Sequence, residues 1–192
     1  VREMGHDPER EKPFFFMKPA DCIVMDGAII DYPVATEDLH HEIELVVAIG
    51  TGGSNITVSD ALGHVFGYAV GLDMTRRDLQ NIAKKKGQPW DVGKGFDSSA
   101  PVGSLSRVDK IGHPTDERIW LKVNNEFRQD SNLENLIWKV EEIIAYLSCL
   151  FRLEGGDLIF TGTPEGVGRV EAGDTLVGGV DGVGELIVRY RK

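Results

Sequence analysis

Cysteine is scarce: the chain holds only Cys22 and Cys149, far apart and in no CxxC pair. Neither a thiolate zinc site nor a disulfide framework organises such a sequence. Cys149, set among apolar neighbours, reads as a buried free thiol. No apolar run approaches the ~20 residues that cross a bilayer, and the start lacks the charged-then-apolar pattern of a signal peptide, so a soluble cytoplasmic protein is expected. Basic charge is also short, with 21 Lys and Arg against 31 Asp and Glu and a net charge of −10. Binding a polyanion such as nucleic acid needs a basic footprint that this balance does not supply. The one basic cluster, Arg76, Arg77 and Lys84 to Lys86, reads as a helix face with its C-terminal charges. The sequence patterns of P-loops, dinucleotide-binding turns, serine-hydrolase elbows and zinc proteases are all missing.

Glycine, by contrast, is abundant: 23 of 192 residues, about 12% against the ~7% of an average chain. With 41% hydrophobic residues, this points to tight turns and close backbone approaches, not to disorder. Residues 1–20 form a charged and then Pro/Phe-rich lead-in. Residues 21–192 are expected to form a single catalytic domain, with no repeat or linker dividing them. Strand-type segments, each bounded by Gly, Pro, Asn or Asp, fall at 22–30, 43–49, 65–73, 117–123, 157–161, 174–180 and 183–190. Asp181-Gly182 signals a two-residue hairpin between the last two. Apolar residues at helical spacing predict a helix over 134–152. A second is predicted from about Thr75 to Lys86, capped by Asp73 or Thr75 and ended by Gly87. The expected class is α+β, mostly β, with mixed sheets in a layered roll.

Candidate chemistry begins at His40-His41-Glu42-Ile43-Glu44. Strand alternation turns His40, Glu42 and Glu44 one way and Ile43, Leu45 and Val47 the other. Two carboxylates at i, i+2 beside a buried apolar strand are costly unless something positive lies between them. A divalent cation and an exposed acidic strand end both remain open readings of this motif. In 65–73, Val65, Gly67, Ala69, Gly71 and Asp73 share a small-residue face that leaves room beside Asp73. If Asp73 joins Glu42 and Glu44, three carboxylates suit Mg²⁺, Mn²⁺ or Ca²⁺ and not zinc. Arg77 and Gln80 follow Asp73 at i+4 and i+7, on one side of a helix beginning there. Lys94, between Gly93 and Gly95 with Trp90 and Phe96 nearby, is placed to stabilise a developing oxyanion. The turn 161–168, with Thr163 in it, offers N–H groups and hydroxyls for a carboxylate, and equally reads as a plain turn.

HHEIELVVAIG (40–50), GYAVGLDMTRRDLQ (67–80), PWDVGKGFDSSAPVG (89–103) and DLIFTGTPEGVG (157–168) resemble, in order and spacing, the fumarylacetoacetate hydrolase superfamily. The resemblance runs from Pro13 to Tyr190 and looks closest to the fumarylpyruvate-cleaving branch through FFFMKPAD (14–21), TRRDLQ (75–80), IWLKVN (119–124) and IWKVEE (137–142). It implies that Glu42, Glu44 and Asp73 hold a metal, usually Mg²⁺ or Mn²⁺, that Lys94, Gln80, Arg77 and Thr163 contact a small anionic keto acid, and that the protein is a cytoplasmic homodimer. It also implies a water-activating His/Glu dyad. Val1-Arg2-Glu3-Met4 matches the end of the family's lid, making Glu3 the dyad carboxylate and placing its histidine just ahead of Val1. The chain does not start with methionine and is expected to continue there. The implied activity is hydrolysis of a carbon-carbon bond in an acylpyruvate during aromatic catabolism. Oxaloacetate decarboxylation, unsaturated-dicarboxylate isomerisation or decarboxylation, and a non-catalytic metal or small-acid binding module are the alternatives.

Overall fold

The computed structural model describes residues 11–192; Glu3 lies outside them. Three mixed or antiparallel sheets carry the fold, and strand outweighs helix, as expected of an α+β, mostly β chain. A six-stranded sheet runs Ile23–Met25, Ala100–Val102, Val65–Leu72, Ile43–Ile49, Leu158–Phe160, with Ser106–Arg107 also paired to Val65–Leu72. A five-stranded sheet runs Glu126–Asn132, Arg118–Val123, Thr175–Val180, Gly184–Tyr190, Ile29–Ile30. A small third sheet joins Gly168–Val170, Leu39–His41 and Thr75–Arg76. Among the described residues two pairings are parallel, Ile23–Met25 with Ala100–Val102 and Gly184–Tyr190 with Ile29–Ile30.

Alternation decides where each strand face goes. Ile43, Leu45, Val47, Tyr68, Val70 and Leu72 enter the main core with Ile119, Leu121, Leu176, Leu186 and Val188. The opposite face of the six-stranded sheet is also apolar, with Val46, Ala69 and Val102 against Ile23, Leu158 and Phe160. Ile43–Ile49 is therefore buried on both sides, which is why its Leu45–Ile49 part reads as an unbroken apolar run. Val65 departs from the expected small-residue face. A register shift between Ala48 and Ile49 pairs Ile49 with Val65, so Val65 joins the main core while Phe66 is left 44% exposed. Bulges re-aim side chains in this way.

Segment 22–30 is two short strands in different sheets, separated by a turn with Gly27 at φ +81°. The last hairpin has three loop residues, since Val180 pairs with Gly184 and the Val183 N–H returns to the Val180 carbonyl. The second predicted helix begins later than expected, at Arg77–Lys86, because Thr75–Arg76 pairs with Leu39–His41. Neither Asp73 nor Thr75 caps it, because both side chains are taken up by Lys94. Lys84, Lys85 and Lys86 fill its last turn, and Gly87 ends it in the left-handed region, φ +63°. The other predicted helix is regular only over Val140–Leu150. Its apolar period extends past the regular turn, and Cys149 is exposed, not buried. Ser148 takes the inward position instead, its hydroxyl accepting the Ile56 N–H at 2.9 Å. No helix among the described residues is long and apolar enough to cross a membrane.

Candidate metal and acid-binding site

Antiparallel register builds the acidic cluster. Ile43 pairs with Leu72 and Glu44 with Gly71, and the Asp73 N–H donates to the Glu42 carbonyl at 2.9 Å. The two strand ends thus bring Glu42, Glu44 and Asp73 to one place, with an oxygen of each within 4.8 Å of the others. Gly71 makes the approach possible: a Cβ there would lie 2.5 Å from Val46 Cγ2 and 2.7 Å from Phe160 Cε1.

All three carboxylates are buried, which costs several kcal/mol per ion unless they are paired. Lys94, at the end of the one-turn helix Asp91–Lys94, donates to Asp73 Oδ2 (2.5 Å), Glu42 Oε2 (2.9 Å) and Thr75 Oγ1 (2.6 Å). Burial alone would lower its pKa, but Asp73 and Glu42 outweigh burial and hold it above the ordinary lysine value. Gly93 lets the turn sit close, since a Cβ there would meet Gln80 backbone at 3.0 Å. The aromatic ring over the Lys94 ammonium is Phe16, 4.9 Å away, where Trp90 and Phe96 were expected to flank it.

Arg77 projects from the first turn of its helix and bonds Glu42 Oε1 (2.5 Å) and Gln80 Oε1 (2.7 Å). Asp73 itself precedes the helix, so the three share a site through side-chain contacts and not a helical face. Burial would raise the Glu42 carboxyl; Lys94 and Arg77 together bring it below its usual value. Among the described residues Glu44 is in no ion pair and feels Lys94 only weakly. Burial, then the charges of Asp73 and Glu42, push it well above the ordinary carboxylate range, against one N–H from Gly162 at 2.6 Å. That N–H ties the 161–168 turn to the cluster, and Thr163 follows directly. Thr163 accepts a hydrogen bond from Gln129 Nε2 at 2.8 Å.

Two participants escaped the sequence reading. Lys18 Nζ lies 2.9 Å from Asp73 Oδ1 and donates to the carbonyls of Met74, Ser99 and Lys94. Burial lowers its pKa and Lys94 adds to that, against the pull of Asp73. The signal was alternation in the extended lead-in: Phe16 and Lys18 reach the site while Phe15 stacks on Tyr146. Gln129 sits on the polar strand Glu126–Asn132, where it is the only buried residue. His41, fully buried, faces it at 3.0 Å, and burial brings the imidazole down to about 4.

Three buried carboxylates, one of them in no ion pair among the described residues, form a hard-oxygen donor set that fits a divalent ion. The fold and this site define a class of metal-assisted enzymes acting on small acids. The chain belongs to the fumarylacetoacetate (FAA) hydrolase C-terminal family, whose model matches residues 1–190. The fumarylpyruvate hydrolase of Ralstonia sp is 45% identical over 181 residues, covering 94% of this chain and 93% of that protein. The mitochondrial oxaloacetate tautomerase of Rattus norvegicus is 44% identical over 183 residues, covering 95% and 82%. The crystal structure of fumarylpyruvate hydrolase from Pseudomonas aeruginosa in complex with Mn²⁺ and pyruvate is 55% identical, with a TM-score of 0.95 over 99% of this chain and 83% of that one.

Proposed function

We propose that this protein hydrolyses a carbon-carbon bond of an acylpyruvate, fumarylpyruvate being the leading substrate, to release pyruvate. The observation that carries the reading is the cluster of Glu42, Glu44 and Asp73 with Lys94 held against two of them. Those carboxylates would hold the ion, Mg²⁺ or Mn²⁺. When bound, the ion supplies Lewis-acid polarisation and a template for a 2-keto acid.

The chain's own groups do the rest. Lys94 keeps its proton beside Asp73 and Glu42, and so offers a fixed positive charge for the enolate that forms as the bond breaks. Arg77, Gln80 and Thr163 orient the acid's oxygens. Glu3 serves as the carboxylate that helps activate the water attacking the distal keto carbon. Charge supports the choice of substrate. Lys18, Lys94 and Arg77, paired with Asp73 and Glu42, equal the three carboxylates in number, so with a divalent ion bound the site would carry a local surplus of two positive charges, which a dianionic keto acid would neutralise. This local field, and not the protein's negative total, draws the ligand. Residues 21–192 act as the catalytic domain, in a cytoplasmic homodimer.

A second reading uses the same site on oxaloacetate. Its support is the oxaloacetate-acting relative and the shared enolate chemistry. Pyruvate release from fumarylpyruvate, simpler acylpyruvates and oxaloacetate, measured side by side with Mn²⁺ or Mg²⁺, tests both. Turnover of oxaloacetate alone overturns the hydrolase reading, and turnover of none overturns both.

A further inference from the structure

The Gln129 side chain lies between Thr163 and His41 and is 1% exposed. A primary amide leaves open which end is oxygen and which is nitrogen, and here two backbone groups of opposite polarity decide it. The Ile43 N–H, which can only donate, lies 3.1 Å from one end, so that end is Oε1. The Pro164 carbonyl, which can only accept, lies 2.9 Å from the other, so that end is the NH₂. The orientation fixes both neighbours. Thr163 Oγ1, 2.8 Å from Nε2, must accept from Gln129, which leaves its own proton to donate elsewhere. His41 Nδ1, 3.0 Å from Oε1, must carry its proton and donate. His41 Nε2 is left buried without a partner among the described residues. With two donors on Oε1 and two acceptors at Nε2, the amide is fully satisfied and has no alternative arrangement.

We propose that Gln129 and His41 are positioning residues that hold the Thr163 hydroxyl as a hydrogen-bond donor toward an anionic oxygen of the substrate. This rests on the reading above in which Thr163 contacts the keto acid. The arrangement gives the acid-binding turn a fixed polarity. One lone pair of the Thr163 hydroxyl is filled by Gln129 while its proton is left free to give, which suits a carboxylate oxygen.

The test uses the Mn²⁺-loaded full chain and pyruvate as the probe, with dissociation constants from calorimetry. Thr163→Val and Gln129→Met should each weaken pyruvate binding about tenfold or more, the scale of a hydrogen bond to a charged group. The double variant should be no weaker than Thr163→Val by more than about threefold, because Gln129 acts through Thr163. His41→Asn, which keeps an N–H donor near the Nδ1 position, should bind within about threefold of wild type, while His41→Leu should weaken binding. Mn²⁺ affinity should be unchanged throughout, and acylpyruvate KM should rise with kcat less affected. The His41 pair decides the matter if Gln129→Met does not fold. Equal losses from Gln129→Met in the presence and absence of the Thr163 hydroxyl would overturn the relay, as would equal binding by His41→Asn and His41→Leu. Wild-type protein that fails to bind pyruvate with Mn²⁺ present would overturn the substrate reading itself.

Discussion

Replacing Gly71 by alanine separates the site's geometry from general stability. The added methyl would sit 2.5 Å from Val46 Cγ2 and 2.7 Å from Phe160 Cε1, well inside the ~3.5–4.0 Å at which carbons attract. Overpacking of this kind costs ~1–3 kcal/mol. Alanine also narrows the unfolded ensemble and returns ~0.4–1 kcal/mol, so overpacking wins by about 1–2 kcal/mol. For a domain of this size that is a fall in Tm of about 2–8 °C. Gly71 is the register partner of Glu44 and stands two residues before Asp73, so any part of the clash that is relieved by shifting the strands moves the carboxylates apart. Metal affinity should fall as well. The control is Gly179→Ala, whose methyl would strike the Trp120 ring at 2.6 Å, in a strand that carries none of the cluster. Thermal melts and Mn²⁺ titrations on both variants give the answer. The reasoning fails if Gly71→Ala keeps wild-type Tm and affinity, or if Gly179→Ala loses as much affinity as Gly71→Ala.

Saturating Mn²⁺ at a hundred times its Kd should add ~2.7 kcal/mol, a rise in Tm of about 5–11 °C that a chelator reverses; no rise would argue against the metal site. Lys94→Ala should cut pyruvate release by about 10²-fold or more with the circular dichroism spectrum retained, and unchanged turnover would remove Lys94 from the mechanism. Asp78 accepts from the Thr36 hydroxyl (2.6 Å) and the Glu37 N–H (3.0 Å). Burial opposes its ionisation, but these bonds prevail and hold its pKa below the ordinary 3.8. Its contribution is therefore full above that value and lost as pH falls through the folded-state pKa. Asp78→Asn should cost about 1 kcal/mol at pH 7, and melts should show the gap to wild type closing in acid. Cys149 should react with a thiol reagent in the folded protein while buried Cys22 does not; equal protection of both would contradict the outward placement.

The sequence carried most of the strands because each has an apolar face or, for Ile43–Ile49, two. Glu126–Asn132 was illegible for the opposite reason: only Gln129 in it is buried, so no apolar alternation marks it. The acidic cluster was readable because strand periodicity aligns Glu42 with Glu44 and the small residues of 65–73 flag the clearance beside Asp73. Lys18 was not, since alternation in the Pro/Phe-rich lead-in puts it on the side of Phe16 but does not say that this side faces Asp73. The helix start at Arg77 was misplaced because Asp73 and Thr75 look like caps locally, whereas the folded protein turns both toward Lys94. Cys149 was misread because its apolar neighbours hide its helical phase: the inward positions run Val140, Ile144 and Ser148, and Cys149 falls one step off them. At the helix start, tertiary pairing overrode local preference.

The Gly162 N–H that meets Glu44 comes from 118 residues further along the chain, while Lys18 reaches back from the other end. A growing or half-folded chain therefore lacks the complete site, with the turn that holds Glu44, until its last third has docked. Ligand can reward only the finished structure, so an added ion should leave the refolding rate almost untouched and act by slowing unfolding. In a cell such a site would work as a late checkpoint, lengthening the life of molecules that have already completed the fold.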